Sequence, residues 1–381
     1  MTKSVTLHHI PCNELEKHFV RQTTAGSQQG DVRTVTFTTD FQIILSRRCA
    51  YACGYCNFPE TVSPTPPSPK AVRKMLSTAS RLGAVQVTLT AGEGIESLPE
   101  IVSISRYYGF DSWAEYLRAL CGEVLQWKGP GVFIPRLDVG ALGLARLKRI
   151  APVLPIARLM VHTADDELNA TIVHSNSPHK NPATRFAAIE DLGRAQIPVV
   201  TGITIGLGES RESWMHAARR VSEIHSQFHN IHSFIVRPFE PQQSSPMADY
   251  PLPDDALLLK AIHTARASLD ESIVLSAEIG GRLQLAAHAV TAGADDLEGL
   301  RVGTSEHLNF DFASTIDLLR KQLAGRGIRL CLRAPLNAQF AAAREWPGPV
   351  KRAISRYAQI YDKLRYGDRA QSECYEEQTA S

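Results

Sequence analysis

The chain is 381 residues long and carries 41 lysines and arginines against 39 aspartates and glutamates, a net charge of +2. That balance excludes the dense positive field that selects nucleic acid or anionic lipid, and leaves a small molecule or another protein as the partner. The start "MTKSVTLHHIPCNELEKHF" lacks the apolar core of a signal peptide, and the longest near-apolar stretch, "IPVVTGITIGL", is too short for a bilayer, so the expectation is a soluble cytoplasmic protein with no membrane contact.

Residues 1–40 read as an N-terminal arm, helix-like and then flexible around "TTAGSQQGD". From Phe41 onward short apolar runs alternate with longer amphipathic ones. The runs are "FQIIL", "VQVTLT", "VFIPRL", "ARLMVH", "PVVTGITIGL", "HSFIVRPF" and "SIVLSAE", and helix-like segments fall at 68–82, 112–126, 182–195, 211–227 and 253–269. Such βαβα order demands a parallel sheet covered by helices. The expected fold is therefore α/β, a (β/α)8 TIM-type barrel over 41–310 with 311–381 as a C-terminal helical extension. An eighth strand has two candidates, the short piece around Ala292–Asp295 and the later "IRLCLRAPL". The first is preferred, which makes the second a post-barrel extension; an open six-stranded partial barrel is the alternative.

In a parallel barrel the reactive residues sit at the C-terminal ends of the strands. Here Glu93 follows "VQVTLT", Asp138 ends "VFIPRL", His162 ends "ARLMVH", Glu209 follows "TGITIGL" and Glu278 closes "SIVLSAE". Three of the seven cysteines, Cys49, Cys53 and Cys56 in "CAYACGYC", follow the first strand of the barrel. An odd number crowded on one loop is a poor disulfide framework and suits metal or redox chemistry. Three thiolates can each hold one iron of a [4Fe–4S] cubane, leaving the fourth iron open for chemistry. A zinc site with its fourth ligand elsewhere also fits such spacing. Cys12, Cys121, Cys331 and Cys374 are scattered and read as structural or exposed thiols. No histidine pair has the i, i+4 spacing of a helical zinc motif beside a glutamate; His8, His9, His225, His229 and His232 read as surface or satisfied groups, and His162 and His179 as pocket candidates.

The C-x3-C-x-aromatic-C spacing, with Tyr55 before the third cysteine, resembles the signature of the radical S-adenosylmethionine (radical SAM) enzymes. The resemblance implies a radical SAM barrel in which the methionine group of S-adenosylmethionine chelates the open iron and one electron, from an external reductant, yields a 5′-deoxyadenosyl radical. It also implies cofactor contacts. Gly92 and Glu93 in "TAGEGIE" match a Gly-Glu motif for the methionine ammonium. "TGITIGLGES" matches G-x-I-x-G-x-x-E, with Thr204 where isoleucine is usual and Glu209 at the end. Arg185 matches an arginine that pairs with the cofactor carboxylate.

Longer stretches, "RYYGFDSWAEYLRALC", "SNSPHKNPATRFAAIEDLGRAQIPVVTGITIGLGES", "FIVRPFEPQQSSPM" and "TAGADDLEGLRVGTSEHLN", resemble the first radical subunit of the 7,8-didemethyl-8-hydroxy-5-deazariboflavin synthases. What this implies is a carbon–nitrogen lyase. Its substrate would be a tyrosine-derived 4-hydroxybenzyl adduct of 5-amino-6-ribitylaminouracil, made by a companion radical enzyme, and it would close that adduct to the deazaflavin with release of ammonia. Asp295, Asp296, His307 and Asn309 are the substrate-binding candidates. Relatives often carry an Asn-Asp-Trp-Gly-Gly-type segment where this chain has "ADDLEG", with the aromatic missing and Glu298 in place of a glycine. The departure bears on the substrate, so a paralogue of futalosine-type or adduct-forming activity is the alternative reading.

Overall fold

The computed structural model describes residues 33–58 and 65–367. Residues 1–32 of the expected arm lie outside the described residues. From Arg33 the chain is already a strand, β1 (Arg33–Phe37), followed after two threonines by β2 (Asp40–Ser46). Then come α1 (Pro69–Arg81), β3 (Gln86–Ala91), α2 (Pro99–Tyr107), α3 (Trp113–Leu125), β4 (Ile134–Asp138), α4 (Leu144–Ile150), β5 (Ile156–Arg158), α5 (Pro182–Arg194), β6 (Val199–Ile205) and α6 (Arg211–Phe228). The second half continues with β7 (Ile231–Pro238), α7 (Asp255–Ser268), β8 (Val274–Glu278), α8 (Ala286–Ala292), β9 (Asp296–Glu298), β10 (Arg301–Thr304), α9 (Phe312–Ala324), β11 (Ile328–Leu332), α10 (Ala338–Ala342) and α11 (Gly348–Gly367). Local chemistry sets the helix starts. Ser68, Asn181 and Ser210 accept from backbone N–H groups of the first turns of α1, α5 and α6, and Pro69 and Pro182 occupy positions whose N–H has no helical partner.

Every ladder is parallel, and β2 to β8 pair in chain order. Closure comes from the segment 296–304, slightly later than expected. Its first half, β9, pairs with β8 and β1, its second half, β10, pairs with β2, and the two are parted at Gly299 (φ +85°). The registers Thr36↔Asp296 and Asp40↔Arg301 show one long strand, β1 with β2, running beside one interrupted strand. The ring of eight is thereby closed. Residues 33–40, assigned from sequence to the arm, are thus sheet, and β11 extends that sheet beside β1. The segment "IRLCLRAPL" is the post-barrel piece expected, though it is a strand in a region expected to be helical.

Alternation along the strands sends every second residue inward. Ile134, Ile156, Val200 and Ile235 form an apolar layer with Ala353 and Tyr357 of α11. The residues two positions further along β4, β5 and β7 are Arg136, Arg158 and Arg237, so the barrel turns from hydrocarbon to charge as it approaches the C-terminal ends of its strands. Outside, the strands pack their other faces on the helices in one large apolar core. Among the described residues no helix is long and apolar enough to cross a membrane.

Candidate active site

The cysteine loop leaves β2 and folds over the end of β3. Ala50 N–H donates to Glu93 O at 2.9 Å, and Glu93 N lies 3.4 Å from Cys49 Sγ. Gly92 is what allows this contact, since a Cβ there would lie 1.9 Å from Arg48 O. Its smallness admits the loop backbone. Gly54 N–H donates to Val173 O at 3.0 Å and Gly54 O accepts from Met247 N at 2.9 Å, so the loop is also tied to the segments after β5 and β7. Cys53 is buried with its thiol 3.2 Å from Ser177 Oγ, and Cys56 Sγ accepts from Phe58 N–H at 3.3 Å. Burial pushes the Cys49 and Cys56 thiols up, and Lys180 draws both down. Among the described residues no three His, Cys, Asp or Glu side chains are gathered closely enough for one metal ion. Three thiols on one loop at a barrel mouth can serve as donors to a cluster whose metals are separate corners.

Glu93 anchors the neighbouring surface. Its Oε1 lies 2.6 Å from Arg185 Nη1 and accepts from Ala141 N–H at 3.0 Å, and its Oε2 accepts from Lys180 Nζ at 2.8 Å. Burial alone would push this carboxyl up, but Arg185 and Lys180 hold it at about 2. Arg185 is itself fixed, donating from Nε and Nη2 to Met160 O at 2.9 and 2.8 Å. Gly140, at φ +77°, leaves room for the Glu93 side chain, which a Cβ there would strike at 2.2 Å.

Tyr55 turns into the barrel mouth. Its hydroxyl is 3.2 Å from His174 Nε2, and its ring lies 5.6 Å from those of both His162 and His174. His162 takes a left-handed backbone (φ +68°) and meets Thr204 Oγ1 at 3.2 Å through Nδ1. Burial, then the charges of Lys180 and Arg185, hold His162 well below the usual histidine range and His174 at about 4. His179 packs edge-on against Tyr51 at 4.9 Å. Glu209 caps the turn after β6. It accepts from Gly206 and Leu207 N–H groups at 2.9 and 2.7 Å and from Trp214 Nε1 at 2.9 Å, so it shapes the glycine loop that was expected to approach the cofactor.

Below this rim lies an ionic ladder. Arg136 of β4 reaches Asp40 of β2 (3.2 Å) and Glu298 of β9 (2.8 Å), contacts that only the barrel interior permits. Arg333 after β11 holds Asp296 at 2.7 and 3.0 Å. Nearer the rim, Arg158 of β5 faces Asp138 (3.9 Å) and Glu278 (3.5 Å), and Arg237 of β7 approaches the same Glu278 oxygen at 3.9 Å.

The four substrate-binding candidates are not brought together at this mouth. Asp295 lies at the N-terminal end of β9, where it accepts from Leu275 N–H at 2.9 Å and pairs with Arg266. Asp296, fully buried, is satisfied by Arg333, Thr36 (2.7 Å) and Ser276 (3.0 Å). His307 and Asn309 are exposed in the turn after β10, with His307 N–H on Thr304 Oγ1 and Asn309 Nδ2 on Arg301 O. Sequence reasoning missed Lys180, three residues after Ser177 in the same "SNSPHKNP" stretch, and Arg136, Arg158 and Arg237. The signal for the arginines was present, because each follows an inward-facing isoleucine by two positions in a strand.

The chain is similar to known proteins in sequence and in fold. The model of the radical SAM superfamily matches residues 43–221. A 7,8-didemethyl-8-hydroxy-5-deazariboflavin synthase of Methanocaldococcus jannaschii is 30% identical over 82% of this chain and 86% of its own length. A synthase of the same name from Archaeoglobus fulgidus is 29% identical over 86% and 98%. Among solved structures, HydG, a maturase of the [FeFe]-hydrogenase, superposes with a TM-score of 0.66 at 13% identity over 88% of this chain and 76% of its own. Methylornithine synthase (PylB) gives 0.55 at 18% over 78% and 83%. At such identities these two structures speak for the fold alone.

Proposed function

This chain belongs to the 7,8-didemethyl-8-hydroxy-5-deazariboflavin synthase family, within the radical SAM superfamily, and on that premise we propose how its mouth carries out the reaction. The observation that carries the reading is the joining of the three-cysteine loop to Glu93 at the end of β3, directly above a charged barrel interior. In this reading Cys49, Cys53 and Cys56 hold a [4Fe–4S] cluster, and Glu93, Arg185 and Lys180 receive the amino and carboxylate groups of S-adenosylmethionine. When bound, that pair supplies one-electron cleavage of a sulfonium to an alkyl radical that removes a hydrogen atom.

The chain's own residues do the rest. Glu93 stays ionised throughout the physiological range because two cations flank it, so it is ready to accept from an ammonium group. Tyr55, His162 and His174, all kept neutral at pH 7, make a low-polarity wall that excludes water from a reactive radical. The substrate in this reading is the 4-hydroxybenzyl adduct of 5-amino-6-ribitylaminouracil, and the reaction is a carbon–nitrogen lyase step with loss of ammonia. A companion radical enzyme supplies the adduct, and an external one-electron donor in the cytoplasm supplies the electron.

The test is incubation of anaerobically reconstituted protein with the synthetic adduct, S-adenosylmethionine and reductant. Deazaflavin fluorescence is the expected result. Cleavage of S-adenosylmethionine without any deazaflavin would point instead to a related cyclase or synthase with another substrate.

A further inference from the structure

Most buried charges in the barrel are tightly matched: Arg136 has Glu298 at 2.8 Å, and Arg333 has Asp296 at 2.7 Å. Arg158 and Arg237 differ. Both converge on one oxygen of Glu278, at 3.5 and 3.9 Å, and Asp138 is 3.9 Å from Arg158. The Nε–H groups of both arginines are buried without a hydrogen-bond partner among the described residues. The Arg158 side chain is only 4% exposed, so water does not make up its deficit in bulk, whereas the Arg237 side chain is 31% exposed and only its Nε is shielded. A buried guanidinium left with unused donors is costly. An unsatisfied buried donor calls for an explanation, and a ligand that completes it is one.

We propose that Arg158, Arg237 and Glu278 form a clamp for a cyclic imide, the O=C–NH–C=O edge of a pyrimidinedione, at the barrel mouth. The inference rests on the deazaflavin-synthase reading above and assigns the residues that recognise its uracil ring. The chemistry matches group by group. Two guanidiniums donate to the two carbonyl oxygens, and the carboxylate between them accepts from the imide N–H. Glu278 is held ionised for this, since Arg237 and Arg158 outweigh the burial that would protonate it. Net charge also fits, because Arg158 and Arg237 are balanced by Glu278 and Asp138 and leave a neutral ring no charge to oppose. The clamp lies beside the cofactor loop: Arg237 pairs in register with Thr204, whose Oγ1 is 3.2 Å from His162 Nδ1, and the His162 ring lies 5.6 Å from that of Tyr55, next to Cys56.

Equilibrium binding of 6-ribitylaminopyrimidine-2,4-dione and its N3-methyl derivative to the reconstituted full chain tests the assignment. The wild-type protein is expected to bind the parent compound and to lose at least about tenfold on N3-methylation, the scale of one hydrogen bond to a charged group. Arg237→Met is expected to weaken the parent compound by a similar factor. Glu278→Gln, nearly isosteric, should weaken the parent compound while leaving the N3-methyl compound unaffected. Equal affinity for both compounds in the wild type, or wild-type affinity in folded Arg237→Met and Glu278→Gln, overturns the clamp while leaving the enzyme assignment intact. No binding of either compound, together with no deazaflavin from the adduct, overturns both.

Discussion

Lys180 Nζ lies 2.8 Å from Glu93 Oε2 across 87 residues of sequence, so the acid at the end of β3 has a built-in cationic partner from the segment before α5. Both side chains are nearly buried. Removing one member of a buried pair costs about 3–5 kcal/mol when the other is stranded. Arg185 remains here, so Lys180→Met is expected to cost about 2 kcal/mol, below that range. Urea unfolding of the metal-free chain measures it, and an unchanged midpoint would show that the contact contributes nothing.

The cysteine loop predicts a stoichiometry. The wild-type chain should take up about four irons with matching sulfide after anaerobic reconstitution. Cys53→Ala should lose most of that iron and the associated absorbance. Cys121→Ala, altered on the buried face of α3 in the apolar core, should retain both. Equal iron in the two variants would remove the loop from the metal site.

Arg136 pairs with two buried acids inside the barrel. Arg136→Met leaves buried Asp40 with only the neutral donors of Gln86 and Thr88, and buried Glu298 with Arg333 Nη2 at 3.8 Å, an expected loss of about 3 kcal/mol. Adding Glu298→Gln to that variant should restore part of it, because one stranded charge is gone. The measurement is a double-mutant cycle from denaturant unfolding. Strict additivity would mean that the two side chains do not interact.

His232 gives a pH signature. It is buried at the N-terminal end of β7, with Nε2 accepting from Asn337 N–H at 3.2 Å. Burial first, then the Arg333 charge, hold it at about 3, against an ordinary 6.5. Between those two values the unfolded chain binds a proton that the folded one does not. Stability should therefore rise with pH across that interval, by about 1.4 kcal/mol per unit from this group, and level off above pH 6.5. Comparing wild type with His232→Gln isolates the contribution. A stability difference between them that is flat from pH 4 to 7 would rule it out.

Seven barrel strands and the principal helices were legible because their periods are local. "FQIIL" and "HSFIVRPF" announce buried strands wherever they fold, and the caps at Ser68 and Ser210 mark helix starts within three residues. The eighth strand was harder, since Gly299 breaks it into two short pieces that no window of apolar residues reveals. β1 is not legible as a barrel strand because its partners, Asp296 and Ile328, lie about 260 or more residues away.

Site residues divide in the same way. Cys49, Cys53, Cys56 and Glu93 stand out as candidates because a loop's spacing and a strand's end are properties of short sequence. The contacts that Asp296, Glu209 and Arg158 make are not legible in the same way. A carboxylate is free or spent according to which cation the folded chain sets beside it, and Arg333 claims Asp296 while Arg158 and Arg237 share Glu278 with donors left over. Sequence alone determined the periodicities and the donor types, because those follow from each residue and its near neighbours. Only closure of the barrel decided which charges meet, since Coulomb and hydrogen-bond energies depend on separations of a few ångströms between groups far apart along the chain.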